Sequence, residues 1–373
     1  MRTTGGNAIL VRVDGNHGMG LGHLYRSRSV ARALRQNLGL EPVFLVLGTT
    51  LDSGFERILA DEGFRVEVVS GAAPNREYPE RIRRLIATEQ PIAVLTDLLT
   101  PDTSDLDLLA DPELRDRSIQ GYVEMLKTLG PPVISITDEP ERIAIRPDIV
   151  IDHSCHSPLE DYEKIVGTEF YLGTEYFPLS DDFVPFVGRP KATPDKVRRV
   201  LVLFGGSDHN RFTLRAVREV AKLPEVTFTV VLGPAIAERE AARAEIISLG
   251  GELVEGAESI AMVMNETHIA VTAGGNTVFE LAALGIPAIA LCTRERQCRN
   301  ADYFQSRGCL VNLGLGTEVT DETIGGAVRR LAEDAARRAR MTIAGRCTVD
   351  GRGLERIADI VLKCTAMREV ASA

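Results

Sequence analysis

The chain has 373 residues, and 43 Lys and Arg against 53 Asp and Glu give it a formal net charge of −10. An acidic chain without a long basic run argues against nucleic acid as a partner. No apolar run reaches the roughly 18 residues that a membrane span requires, so we expect no stable membrane insertion. At roughly 150 residues per domain, the length favours two globular domains.

The six cysteines form no C-x-x-C pair, which is typical of reduced thiols in a cytoplasmic protein. The apolar run at 8–11 is too short for a secretory signal. One cluster, 152–156, reads Asp-His-Ser-Cys-His and places four potential metal ligands within five residues. No second ligand cluster accompanies it, so we expect a polar loop after a strand, with no metal and no cofactor.

Short β-branched runs alternate with longer helical patterns, which is typical of parallel α/β units. The first half predicts strands at 9–13, 43–47, 66–69, 92–96, 133–137 and 149–152, with helices such as 22–37 and 79–89. The second half predicts strands at 200–204, 228–232, 269–272, 288–291 and 310–313, with helices including 211–222, 236–248 and 277–284.

A proline-rich stretch separates the two series of predicted strands and helices. Its prolines are incompatible with both a helix and a central strand. We therefore predict a linker at 181–197 between Rossmann-like domains at 1–180 and 198–349, which face a cleft. A terminal helix is expected in 350–373, and the sequence leaves open whether it crosses back. The acidic stretch 102–117 is interpreted as a solvated insertion.

The first strand leads into a glycine-rich turn that opens a helix, Asp14-Gly15-Asn16-His17-Gly18-Met19-Gly20-Leu21-Gly22-His23. Glycines permit close backbone approach, and the free amides of a helix N-terminus favour an anion. The spacing is not G-x-G-x-x-G, and the second strand ends without a carboxylate for a ribose. These departures argue against a dinucleotide site, and no Walker A loop is present.

His23 stands in the first turn of this helix, where the positive end of the dipole disfavours an imidazolium. A neutral imidazole there is suited to general-base catalysis, with His17 as the rival base. Arg26 shares its helical face and could meet a phosphate or a sugar hydroxyl. Alternatively, His23 caps the helix and Arg26 pairs with a surface carboxylate.

Three carboxylates, Asp14, Asp97 and Asp138, each follow a predicted strand. They could orient the catalytic base or bind sugar hydroxyls. Turn and capping roles are at least as compatible with their positions.

Two further glycine turns follow strands of the second half. In Gly205-Gly206-Ser207-Asp208 the amides and the serine hydroxyl could cradle a diphosphate, or Ser207 or Asp208 could be a plain helix cap. The other turn, Gly274-Gly275-Asn276-Thr277, leads to Glu280, whose carboxylate could accept hydrogen bonds from a ribose diol. Thr277 and Glu280 also satisfy a capping box, which would be purely structural.

The ordered set of these motifs resembles the UDP-sugar hydrolase family of pseudaminic acid biosynthesis and the related spore-coat polysaccharide proteins. The resemblance rests on Arg12-x-Asp14, Gly20-x-Gly22-His23-x-x-Arg26, Gly205-Gly206-Ser207-Asp208, the run from Ala273 to Ala282, and Gln297-x-x-Asn300-Ala301, and spans roughly positions 9 to 312. It implies a GT-B fold and metal-independent release of UDP, with water attacking the sugar.

In that family the histidine of the G-x-G-H motif is catalytic, which by position implies His23. We add Asp14 and His17 as further catalytic candidates. The expected partners are a UDP-sugar as substrate and UDP as product. The predicted sugar-binding residues are Arg12, Gly20, Gly22, Arg26, Asp97 and Asp138. The predicted UDP-binding residues are Gly205, Gly206, Ser207, Asp208, Gly274, Gly275, Asn276, Thr277, Glu280, Gln297 and Asn300.

Three departures from the family leave the sugar open: the extra length at 99–117, the loop 294–297, and Asn16-His17 in the first turn. Two alternatives also stay open. One is a GT-B glycosyltransferase, in which an acceptor hydroxyl replaces water. The other is a non-catalytic module that binds nucleotide sugars.

Overall fold

The computed structural model describes residues 7–13, 22–47, 53–69, 77–98, 112–138, 145–155, 165–189, 193–205, 208, 210–233, 236, 238–255 and 260–371. The chain divides into two compact units, one comprising Met1–Pro178 and Arg352–Ala373, the other Leu179–Gly351. Each unit is a parallel sheet with helices, which confirms the prediction of an α/β protein with two Rossmann-like domains.

The first unit contains a parallel sheet in the order β3-β2-β1-β4-β5-β6-β7. Its strands are β1 (Ala8–Val13), β2 (Glu41–Leu47), β3 (Arg65–Val69), β4 (Val94–Asp97), β5 (Val133–Thr137), β6 (Ile149–Asp152) and β7 (Glu169–Leu172). The helices between them are α1 (Gly22–Leu38), α2 (Ser53–Asp61), α3 (Glu77–Glu89) and α4 (Pro112–Lys127).

The second unit contains a parallel sheet in the order β10-β9-β8-β11-β12-β13. Its strands are β8 (Arg199–Leu203), β9 (Thr227–Val231), β10 (Glu252–Val254), β11 (Ile269–Thr272), β12 (Ala288–Cys292) and β13 (Leu310–Leu315). Its helices are α5 (Phe212–Val220), α6 (Arg239–Ser248), α7 (Ile260–Asn265), α8 (Thr277–Leu284), α9 (Glu295–Ser306), α10 (Asp321–Glu333) and α11 (Ala335–Thr348).

The last helix, α12 (Gly353–Ala371), belongs to the first unit and packs against α1. Leu354, Ile357 and Val361 are buried in the same core as Ile9 of β1. At the start of α12, a Cβ on Gly353 would lie 2.0 Å from the Phe177 carbonyl oxygen. Only glycine allows so close a backbone approach, which explains the residue type at this position.

Residues 181–197, predicted as the linker, lie within the second unit. The fully buried Arg338 of α11 ties this segment to the unit by donating to the carbonyl oxygens of Pro194 and Asp195. In the acidic stretch interpreted as an insertion, 102–111 lie outside the described residues, whereas 112–117 form the start of α4. No described helix is long and apolar enough to cross a membrane.

In both sheets the strand order reverses once, between β1 and β4 in the first unit and between β8 and β11 in the second. In doubly wound folds the connections leave in opposite directions at such a point, and ligands bind beyond the carboxyl ends of the two central strands. The residues at these two edges are therefore the first candidates for a functional site.

Candidate functional site

The first cluster lies at the reversal point of the first sheet. Asp97 is the last residue of β4 and pairs in register with Val13 of β1. His23 is the second residue of α1, the helix that follows β1. Its Nδ1 atom lies 2.6 Å from Asp97 Oδ1, so the histidine and the carboxylate form a direct pair at the carboxyl edge of the sheet.

Asp97 is 1% exposed, and neighbouring side chains hold both of its oxygens. Arg26 clamps it with a two-pronged fork, in which Nε donates to Oδ2 at 2.7 Å and Nη2 donates to Oδ1. Ser27 Oγ also donates to Oδ2, at 3.2 Å. Because these donors fix the carboxylate, it presents a fixed acceptor to the histidine ring.

The charges in this cluster fix the ionisation of Asp97. Burial alone would raise the pKa of its carboxyl, but Arg26 and His23 outweigh burial and lower the pKa well below its usual range. Asp97 is therefore an acceptor only. Arg26 Nη2 also lies 2.8 Å from His23 Nδ1. Because the ionised carboxylate of Asp97 can only accept, the shorter 2.6 Å contact assigns the ring proton to Nδ1 while Nη2 donates to Asp97 Oδ1, which leaves the Nε2 lone pair of His23 to take a proton from a reactant.

Behind Arg26 lies a second buried histidine that the sequence prediction did not include among the site residues. His153 is the first residue after β6, and its Nε2 atom lies 3.3 Å from Arg26 Nη1. Burial and the charge of Arg26 lower the pKa of His153 to about 3, so its ring is neutral at physiological pH. Asp138 Oδ1 lies 3.5 Å from the same Nη1 atom.

The 152–156 cluster contains His153, and its pattern of potential ligands was the signal available in the sequence. In the structure Asp152 Oδ1 accepts from the backbone N–H of Ser154 at 2.8 Å, which is a local turn. His156 lies outside the described residues. Among the residues that are described, no group of three or more His, Cys, Asp or Glu side chains could hold a metal ion.

Three predicted sugar-binding residues of the first unit are buried, and their roles stay predictions. Arg12 is 0% exposed, donates to the Val13 carbonyl oxygen at 2.9 Å and lies near the Tyr122 ring. Arg26 and Asp97 are 6% and 1% exposed and bind each other. Partly exposed Asp138 and exposed Gly22 stay predictions, and Asp14, His17 and Gly20 lie outside the described residues.

The second cluster lies at the reversal point of the second sheet, in the turn after β11. A Cβ on Gly274 would lie 2.4 Å from the carbonyl oxygen of Gln297 in α9, so a side chain has no room there. Asn300 Nδ2 donates to the Gly274 carbonyl oxygen at 3.4 Å. The structure therefore brings together the glycine turn and two polar residues of α9 that were predicted to bind UDP.

Glu280 lies on the first turn of α8 beside this glycine turn. The capping box expected from Thr277 and Glu280 does not form, because Asn276 is the N-cap and no side chain caps the helix. No described residue bonds to or pairs with the carboxyl of Glu280, which is partly exposed. Burial raises the pKa of this carboxyl to about 7, so it is a desolvated acceptor suited to hydroxyl donors.

Asp208 lies in the turn after β8, for which the sequence left open a diphosphate site or a helix cap. Its Oδ1 atom accepts from the N–H of Phe212 at 2.9 Å, and Oδ2 accepts from the N–H of Thr213 at 2.6 Å. These are the first amides of α5, so Asp208 caps this helix, and a role in UDP binding stays a prediction. Gly205 is exposed with φ +80°, and Gly206 and Ser207 lie outside the described residues.

Replacing Asp208 by alanine is expected to lower the free energy of unfolding of the second unit by about 1–2 kcal/mol, because two helix amides lose their acceptor. Urea titration followed by circular dichroism measures this loss. Asn210→Ala, at an exposed neighbouring position, is the matched control and should change little. Equal stability of Asp208→Ala and the wild type would contradict the capping role.

Known proteins that are similar to this chain in sequence or in fold include glycosyltransferases. Residues 200–351, which lie within the second unit, match the glycosyltransferase family 28 C-terminal domain. The chain is 26% identical over 354 residues to the spore coat polysaccharide biosynthesis protein SpsG of Bacillus subtilis, and the match covers 93% of this chain and 96% of that protein.

Two solved structures share the architecture at low sequence identity. MurG of Acinetobacter baumannii superimposes with a TM-score of 0.63 at 15% identity, covering 95% of this chain and 99% of that one. Arabidopsis thaliana UGT89C1, complexed with UDP-L-rhamnose, gives 0.66 at 12% identity, covering 97% and 100%. The chain therefore has two parallel-sheet α/β domains of the kind found in GT-B glycosyltransferases, and over nearly its whole length it is similar to a polysaccharide biosynthesis protein.

Proposed function

We propose that the chain is an enzyme that transfers a glycosyl group from a UDP-sugar to an acceptor hydroxyl. The observation that carries the proposal is the His23–Asp97 pair, 2.6 Å apart at the reversal point of the first sheet. The similarity to SpsG and the match to a glycosyltransferase domain support this class of reaction.

In the proposed complex the nucleotide binds to the second cluster. The turn at Gly274 and Gly275 offers backbone close to the N-terminus of α8, where amides favour a diphosphate. Glu280 accepts hydrogen bonds from the ribose hydroxyls, as a carboxylate has only acceptors. Gln297 and Asn300 of α9 lie beside the same turn and supply further polar groups to the proposed nucleotide site.

In the proposed reaction, His23 Nε2 removes the proton of the acceptor hydroxyl as its oxygen bonds to the anomeric carbon. The bond from that carbon to the phosphate oxygen breaks, and UDP leaves with the electron pair. Asp97 stabilises the imidazolium formed on His23, and general-base help of this kind typically contributes ~10²–10⁴-fold. Amides at the diphosphate stabilise the charge on departing UDP.

Water is the second candidate acceptor, which would make the enzyme a UDP-sugar hydrolase. The specific observation in its favour is the Gly20-x-Gly22-His23-x-x-Arg26 run, which resembles the hydrolases of pseudaminic acid biosynthesis. The same base and the same leaving group serve both reactions.

A panel of UDP-sugars, with and without chelator, tests the proposal when free UDP and the sugar product are followed by NMR. We expect one member of the panel to release UDP in the presence of chelator. Release only with an added saccharide identifies a transferase, and release in buffer alone identifies a hydrolase. Tight binding without turnover over hours would contradict an enzyme and indicate a binding module.

Replacing Glu280 by glutamine is expected to raise the Kd for UDP about 10-fold at pH 8, because the ribose loses a charged acceptor. Titration calorimetry at pH 6 and pH 8 measures the effect. The difference should shrink at pH 6, where a carboxyl with a pKa of about 7 is largely protonated. Glu240→Gln, at an exposed position of α6, is the matched control. An unchanged Kd of the Glu280→Gln variant at both pH values would rule out the ribose contact.

The raised pKa of Glu280 also makes this residue unfavourable for folding. The folded protein holds its proton more tightly than the unfolded chain, so stability falls as pH rises from about 4.5 to above 7. Glu280→Gln should therefore gain on the order of 1–2 kcal/mol at pH 8 and nothing at pH 4, after discounting for partial exposure. A gain in stability together with a loss of affinity separates a binding role from a structural one.

A further inference from the structure

We propose that His153 is a positioning residue: its neutral ring accepts a hydrogen bond from Arg26 and so holds the Arg26–Asp97 fork that fixes the proton of His23. This inference rests on the proposed function for its effect on turnover. The arrangement itself is independent of any activity, because all of its members are buried or partly buried residues of the first unit.

The argument begins with the hydrogen bonds of the Arg26 guanidinium. Nε and Nη2 hold the two oxygens of Asp97, so Nη1 is the nitrogen that faces away from the fork. Nη1 lies 3.3 Å from His153 Nε2 and 3.5 Å from Asp138 Oδ1. Since a guanidinium only donates, Nε2 must be the acceptor, and the proton of the neutral His153 ring must reside on Nδ1.

His153 is itself held in place by packing. Its ring meets Phe177 edge to face with centroids 5.4 Å apart, and the Phe177 backbone lies against Gly353 at the start of α12. The groups that face the ring are Arg26, Asp138, Asp97 and His23. Burial and the positive charge of Arg26 keep the ring neutral and able to accept, since a protonated His153 would have no lone pair to offer.

Loss of this acceptor has a defined consequence for the fork. With His153 gone, the remaining partner of Nη1 is Asp138, which draws the guanidinium away from Asp97. The position of His23 depends on this fork, because Arg26 Nη2 and His23 Nδ1 both converge on Asp97 Oδ1 and lie 2.8 Å apart. Nη2 already lies within hydrogen-bond distance of Nδ1, so a guanidinium that loses Asp97 Oδ1 would donate to Nδ1 instead and shift the proton of His23 to Nε2, where it blocks the base.

The test uses the full chain with ¹⁵N-labelled histidine, whose NMR shifts report which ring nitrogen carries the proton. In the wild type we expect the Nδ1–H tautomer at both His153 and His23. A proton on His153 Nε2 in the wild type overturns the proposal, whether or not any turnover is found. This arm needs no variant and no substrate, so its failure is distinct from a failure of the proposed function.

The second arm compares two variants. His153→Phe keeps the ring contact with Phe177 and removes the acceptor, whereas His153→Gln places an oxygen near the Nε2 position. We expect His153→Phe to populate the Nε2–H tautomer of His23 and to lower kcat about 10-fold with KM for the UDP-sugar unchanged. His153→Gln should restore the Nδ1–H tautomer of His23 and a kcat close to that of the wild type. The proposal fails if the His153→Phe and His153→Gln variants behave alike. It also fails if His153→Phe lowers residual turnover further in a His23→Ala background, because His153 would then act only through stability.

Discussion

Replacing His23 by alanine lowers kcat by about 10²–10⁴-fold, since the acceptor hydroxyl then loses its proton to solvent instead of to a positioned base. The Kd for UDP should stay within twofold of the wild type, because the proposed nucleotide contacts are made by Gly274, Glu280 and their neighbours in the second unit. Turnover of the UDP-sugar found in the panel and calorimetric UDP binding measure the two quantities on the same protein preparation.

Two further variants test whether the effect on kcat is specific to the His23–Asp97 pair. Asp97→Asn keeps the shape of the side chain but removes the charge, so kcat should fall while the histidine is still present. Tyr25→Phe alters an exposed neighbour on the same helix and should leave kcat unchanged. Full activity of His23→Ala would demote His23 to a capping residue and remove the base from the proposed mechanism.

Replacing Asp97 by alanine should also destabilise the first unit by about 3–5 kcal/mol, the largest loss of stability that we expect. The substitution leaves the guanidinium of Arg26 buried without its carboxylate, and an uncompensated buried charge is far costlier than a missing contact. The double variant Arg26→Met/Asp97→Val removes both charges and should recover most of this loss. Urea titration followed by circular dichroism measures all three proteins.

The control for Asp97 is Asp61→Ala, which breaks an exposed i,i+4 pair with Arg57 and should cost less than about 0.5 kcal/mol. The pH dependence has a defined sign. Because the pKa of Asp97 is lowered on folding, its stabilisation is complete above about pH 4 and is lost as the pH falls further. If Asp97→Ala were no less stable than Asp61→Ala, the buried ion pair would not be the clamp described above.

Most strands could be predicted from the sequence because a parallel strand covered on both faces is a nearly continuous apolar run. Thus 133–137, 149–152 and 269–272 match the structure to the residue. The strands β7 and β10 were not predicted. Both are short edge strands that begin with an exposed glutamate, so they lack the apolar run that marks a buried strand.

Residue types that favour chemistry could be found from the sequence, but their partners could not. The position of His23 after a glycine turn was visible, whereas its contact with Asp97 spans 74 residues and depends on β1 and β4 being neighbours. The burial of Arg12, Arg26 and Asp208 could not be predicted either, because it depends on the elements that the fold packs around them. His153 was noticed only as a potential metal ligand, since nothing local connects it with Arg26.

The return of α12 to the first unit has a consequence for biosynthesis. The face of α1 that Leu354, Ile357 and Val361 cover stays open while the ribosome makes the roughly 170 residues of the second unit, which takes about 10–30 s at roughly 5–20 residues per second. A nascent first unit therefore carries an apolar surface throughout that interval, and its core is complete only after the last helix has been made.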